Sequence, residues 1–61
     1  MTFTMQVRMD NAAFEDAPGL ELARILEGVA RRIEESGRGF GRVLDLLGND
    51  VGWFKVHDGP R

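Results

Sequence analysis

Apolar and polar residues alternate strictly at the start of the chain, with Phe3, Met5, Val7 and Met9 on one side and Thr2, Thr4, Gln6 and Arg8 on the other. A period of two is that of an extended strand with one dry and one wet face. Asp10-Asn11 are turn formers and end it. Ala12-Ala13-Phe14-Glu15 reads as a short turn that folds Phe14 back onto the core.

The period then lengthens. Leu22, Ile25, Leu26, Val29 and Ile33 recur at helical spacing and fall within a stripe of about 100° on a helical wheel. Ala23 and Ala30 flank the stripe, and Arg24, Glu27, Arg31, Glu34 and Glu35 lie away from it. Asp16 or Ala17 precedes Pro18, a good first-turn residue, and Glu21 adds negative charge near the start. Ser36-Gly37 supplies the stop, so the pattern predicts a helix over 18–36. Gly28 sits on its outer side as a tolerated surface glycine, or as a point of close approach for a partner.

Beyond Gly39 the chain turns extended again. Two apolar runs meet at Gly48-Asn49-Asp50, which signals a β-hairpin. In the first run Phe40, Arg42, Leu44 and Leu46 share one face, while Gly41, Val43, Asp45 and Leu47 share the other. In the second, Phe54 and Val56 oppose Val51, Trp53, Lys55 and His57. The expected fold is α+β: a three-stranded, mainly antiparallel sheet with one helix on one face (βαββ). Phe3, Met5, Val7, Leu44, Leu46, Phe54 and Val56 meet the helix there. Strand order 1-3-2 is simplest, with 1-2-3 and a right-handed parallel crossover as the alternative. Residues 1–61 form one small domain, with 57–61 as a frayed tail.

Composition narrows how so short a chain stays folded. With no cysteine and one histidine, neither a disulfide nor a metal centre is expected. That leaves an apolar core or self-association. An apolar fraction of 43% with 30% charged residues is globular in character. A net charge of −2 is weak for a nucleic-acid binder. No basic segment leads into an apolar run and no stretch approaches membrane-spanning length, so a cytoplasmic protein without membrane attachment is expected.

The open sheet face is the sharpest lead. It is expected to present Val43, Leu47 and Trp53, with Val51 as a further candidate, among Gln6, Arg8, Asp45 and Lys55. A solvated sheet face normally alternates to polar residues, and tryptophan with arginine is common anchor chemistry at interfaces. Trp53, Val43, Leu47, Arg8 and Lys55 are therefore the candidate interface. Two other readings stand beside it: Trp53 lies flat under the stems of Arg8 or Lys55, or a one-residue register difference turns it inward.

Other chemistry finds little support. Arg38-Gly39-Phe40-Gly41-Arg42-Val43-Leu44-Asp45 partly matches an RNA-recognition signature, but Arg42 and Asp45 stand where aromatic rings must stack. The glycine run 37–41 follows a helix C-terminus, whereas phosphate-cradling loops precede an N-terminus. Thr2, Thr4 and Ser36 are the only hydroxyl side chains, and no cysteine or tyrosine could act as a nucleophile. The expectation is a protein without catalytic, cofactor-binding or metal-binding residues.

Asn11-Ala12-Ala13-Phe14, the helical Glu21-Leu22-Ala23-Arg24-Ile25-Leu26, Asp45 and Gly48-Asn49-Asp50-Val51-Gly52 span most of the chain. They resemble short uncharacterised proteins of phages, prophages and other mobile elements, which read N-x-A-F, a helix with R-I-L, then D-x-x-G-N-x-V-G. Trp53 departs from that pattern, where a polar residue would be expected. The resemblance implies an accessory gene, a class that includes small inhibitors of host defence, acting in the host cytoplasm if phage-encoded. The leading expectation is a non-catalytic interaction protein that binds a protein partner, either a host protein or a second copy as a homodimer. The alternative is a nucleic-acid-binding accessory protein using Arg8, Arg38, Arg42 and Lys55.

Overall fold

A computed structural model describes residues 1–58. Strand β1 (Thr2–Val7) leads through a 3₁₀ turn (Ala12–Phe14) to helix α1 (Pro18–Ser36), then to β2 (Phe40–Leu44) and β3 (Asp50–His57). The sheet is antiparallel in the order β1-β3-β2. The α+β class, the helix limits and the simpler strand order all follow the sequence pattern.

Local chemistry explains the boundaries. Asn11 caps the 3₁₀ turn by accepting the Ala13 N–H (3.1 Å). Ala17 opens α1 with Pro18 behind it, and Gly37 closes it in the left-handed region (φ 69°), donating its N–H to the Ile33 carbonyl (2.8 Å). The Ser36 hydroxyl donates to the Arg32 carbonyl and accepts the Arg38 N–H, so it finishes the helix. Of the expected frayed tail, His57 instead closes β3 opposite Thr2, and residues 59–61 lie outside the described residues.

Phe14, Ile25, Val29, Val43, Val51 and Phe54 form the buried core, with Met5, Val7, Ala13 and Ile33 packed against it. This core corrects the expected face of β2. Gly41 and Val43 point to the helix, while Phe40, Arg42 and Leu44 face outward and are exposed. Val43 is only 1% exposed, and Leu44 and Leu46, expected inside, lie outside.

Two features impose that parity. A Cβ on Gly41 would lie 2.7 Å from Arg32 Nη2 and 2.8 Å from Phe54 Cζ. The missing side chain therefore lets the Arg32 guanidinium sit over the Phe54 ring, 5.3 Å from its centroid. On β3, Gly52 pairs with Val43 but Asp50 pairs with Leu44, leaving Val51 as the extra residue of a bulge. The bulge re-aims Val51 into the core at 2% exposure, and Val51 therefore leaves the expected open-face set.

The two sheet edges differ. Arg8 N–H donates to the Val51 carbonyl, so even-numbered residues along β1 bond to β3 while Phe3, Met5 and Val7 turn their backbone groups outward. Likewise Val56 N–H donates to the Gly39 carbonyl (2.6 Å), which turns the backbone of Phe40, Arg42 and Leu44 outward on β2. Arg32 Nη1 caps one of these groups by donating to the Arg42 carbonyl (2.8 Å). No helix among the described residues is long and apolar enough to cross a membrane.

Candidate interaction surface

The polar side chains divide into two groups with different roles. At one end of the molecule, Glu21 and Asp45 are buried carboxylates. Glu21 accepts Arg24 Nε and Nη2 (both 2.9 Å) and the Leu46 N–H (2.7 Å). Asp45 accepts the Leu47 and Asn49 N–H groups (both 2.9 Å), Asn49 Nδ2 (3.3 Å) and Asn11 Nδ2 (2.6 Å). The Arg24 hydrogen bond holds the Glu21 carboxyl below its ordinary range against the opposing effect of burial. Burial alone would raise Asp45, but the donors from Asn49, Asn11 and Leu47 outweigh it and lower its pKa.

This network ties the hairpin loop to the 3₁₀ turn and to the first turns of α1. No buried side-chain nitrogen or oxygen among the described residues lacks a partner. Asp45, expected on the open face, is thus an internal brace, and its lone pairs are committed. Its value in sequence lay in its spacing from Asn49, since an aspartate accepting the N–H groups two and four residues on is turn chemistry.

The second group surrounds the β2 edge. Phe40, Arg42, Trp53 and Lys55 face outward on β2 and β3, with Gln6 and Thr4 opposite on β1. The four residues of β2 and β3, with Arg32, Arg38, Gly41 and Phe54, line an open hollow of about 520 Å³. Phe40 is 60% exposed, and the Arg38 guanidinium lies 5.5 Å from its ring centroid. Trp53 is half-buried. Arg42 forms a bidentate pair with Asp50 (2.9 Å to each oxygen), which raises the Arg42 pKa and lowers that of Asp50. Arg32, Arg38 and Lys55 form no ion pair with any described carboxylate.

Of the expected interface residues, Trp53 and Lys55 lie together on this face, whereas Val43 is in the core beneath it. Arg8 sits beside the far end of β3, where Nη2 donates to the Asp50 carbonyl (2.8 Å). Leu47 is 61% exposed on the hairpin loop, apart from the hollow. Sequence reasoning missed Phe40 as an outward residue and Arg32 as a contributor from the helix. The parity assigned to β2 concealed the first. The absent side chain at Gly41 was the available signal for the second.

No group of three or more histidine, cysteine or acidic residues among those described could hold a metal ion. No family model, curated protein or solved structure matches this chain.

Proposed function

We propose that this chain is a non-catalytic interaction protein of mobile-element type that binds a protein partner through the Phe40–Trp53 surface. The observation that carries the reading is the exposed Phe40 and half-buried Trp53 beside three cations that pair with no described carboxylate, on a chain whose net charge is −2. Aromatic and arginine side chains contribute most at protein interfaces, because each covers much area at modest entropic cost. The excess of positive charge around them favours an acidic patch on the partner.

The resemblance to phage and prophage proteins supports a role in the host cell, with blockade of a host defence enzyme as the specific version. The residues that carry that resemblance have structural duties: Asn11 and Asp45 bond each other, Phe14 and Val51 are buried, and Gly52 has no room for a side chain. They build the scaffold. The chain-specific Trp53 lies on the surface that remains.

A second reading is favoured by the same cations. Arg32, Arg38 and Lys55 beside two aromatic rings also suit a single-stranded nucleic acid, through phosphate pairing and base stacking, whereas Arg42 is held by Asp50 and Arg8 lies apart. One set of measurements separates the two. Immobilised protein is exposed to nuclease-treated host lysate, and retained proteins are compared between wild type and Trp53→Ala. The protein-partner reading expects a discrete species whose binding weakens by at least about 2 kcal/mol, roughly 30-fold, without Trp53. It is overturned if retention is independent of Trp53. It is equally overturned if labelled oligonucleotides bind at submicromolar affinity that falls steeply with salt.

A further inference from the structure

Sheet edges are places where chains add to one another, and proteins usually blunt them with charge, proline, bulges or a covering group. The β2 edge is treated in this way: it carries Arg42, lies beside the bulge, and has its Arg42 carbonyl capped by Arg32. The β1 edge has none of these devices. Its six residues, Thr-Phe-Thr-Met-Gln-Val, contain no charge and no proline, and its pairing with β3 runs without a register shift.

Above that edge the helix leaves a gap. A shallow groove of about 300 Å³ runs along it, lined by Met5, Val7 and Met9 from the β1 side and Leu22 and Leu26 from α1. Leu26 is 47% exposed and Phe3, next along the strand, is 49% exposed. An unpaired strand and an apolar trough therefore lie side by side, on the opposite sheet edge from the Phe40–Trp53 surface.

We propose that two copies of this chain associate by antiparallel pairing of their β1 edges about a two-fold axis at Met5, forming one six-stranded sheet. The occupant is a second copy because the edge is complementary to itself. The outward backbone groups belong to Phe3, Met5 and Val7, a triplet symmetric about its centre. In the Met5-centred register, Met5 faces Met5, and Phe3 faces Val7 of the second copy. Each outward N–H of the triplet then meets an outward carbonyl of the other triplet. The facing side chains are all on the helix side, so the two apolar troughs merge into one beneath the two helices. Thr4 faces Gln6 on the wet side. No charge is brought against its like within the strand, and the arrangement is isologous and closed. Main-chain bonds set the register, while covering Phe3, Leu26 and Met9 supplies the apolar contribution.

Sedimentation velocity of the full chain from low micromolar to near-millimolar concentration tests the association. Wild type is expected to shift from monomer to dimer. Phe3→Lys, a charge placed on the edge, should weaken the dimer at least about tenfold. Leu26→Glu should do the same from the helix side, with far-ultraviolet circular dichroism showing that each variant stays folded. A wild type that remains monomeric throughout overturns the proposal, as does a dimer indifferent to both substitutions.

Register is tested independently of those variants. Hydrogen-bonded antiparallel partners have Cα atoms about 5.5 Å apart, within the roughly 4.4–6.8 Å that a disulfide spans. In a chain without native cysteine, Met5→Cys should form a covalent dimer on mild oxidation and Thr4→Cys should not. Equal cross-linking of the two, or none from Met5→Cys, overturns the Met5-centred pairing.

Discussion

Val43→Thr separates the two ways of facing β2 with almost no change in shape. Threonine is as strand-favouring as valine and nearly the same size, so neither propensity nor a cavity contributes much. What changes is one methyl for one hydroxyl. Val43 is 1% exposed among Phe54, Val51 and the helix residues Ile25 and Val29. Burying a hydroxyl without a partner costs about 1–3 kcal/mol in proteins. No orphaned side-chain acceptor waits nearby, because every buried side-chain nitrogen and oxygen among the described residues is already paired. A central value of about 2 kcal/mol corresponds to a drop of roughly 8–16 °C in melting temperature for a domain of this size. Thermal and urea unfolding should be followed at one fixed low concentration, since any self-association makes stability depend on concentration. Leu44→Thr is the internal control. Leu44 is exposed, so its change should stay within about 0.5 kcal/mol. If Val43→Thr is neutral and Leu44→Thr is costly, the opposite parity holds and the core as described is wrong.

Two further outcomes follow from the same packing. Gly52→Ala would drive a Cβ into the Gln6 carbonyl oxygen of β1, a backbone atom that cannot move aside, so β1 should lose amide-exchange protection before β2 does. Equal protection in both strands would refute it. Glu21, Asp45 and Asp50 all have lowered pKa values in the folded chain, so their contribution is complete above the unfolded carboxylate range and is lost as pH falls through the folded values. The urea midpoint should therefore be level above about pH 5 and decline below it, and Asp45→Asn should flatten that decline. A midpoint that rises on acidification would contradict the network.

The elements were legible because their periods were clean. The strict alternation of β1, the helical stripe from Leu22 to Ile33 and the stop at Gly37 leave little room for another reading. The parity of β2 was not legible, since residues 40–47 place large apolar side chains on both faces: Phe40, Leu44 and Leu46 against Val43 and Leu47. The choice is made by tertiary contacts, the Arg32–Phe54 stack over Gly41 and the bulge at Val51, neither of which has a periodic signature. Trp53 was placed on the outer face because the alternation of β3 beyond the bulge is unbroken. The same alternation, carried back through the bulge, misplaced Val51. Asp45 was placed on the wet sheet face and Glu21 was read only as a charge near the helix start, because composition does not reveal which carboxylates have donors converging on them.

The pairing of Thr2 with His57 has a consequence for how the chain comes together. The ribosome makes β1 before α1 and β2, yet its sheet neighbour among the described residues, β3, emerges only after both. Helix α1 and the β2–β3 hairpin are contiguous and can assemble from short loops, whereas docking β1 closes a loop across nearly the whole described chain. During synthesis β1 is therefore an unattached ribbon waiting for its slot beside Gly52. At high local concentration, as on a polysome, the slot of a neighbouring chain is an equally good acceptor. Exchange of β1 between nascent copies is the misassembly this topology must outrun, and slower docking of β1 lengthens the interval in which it can occur.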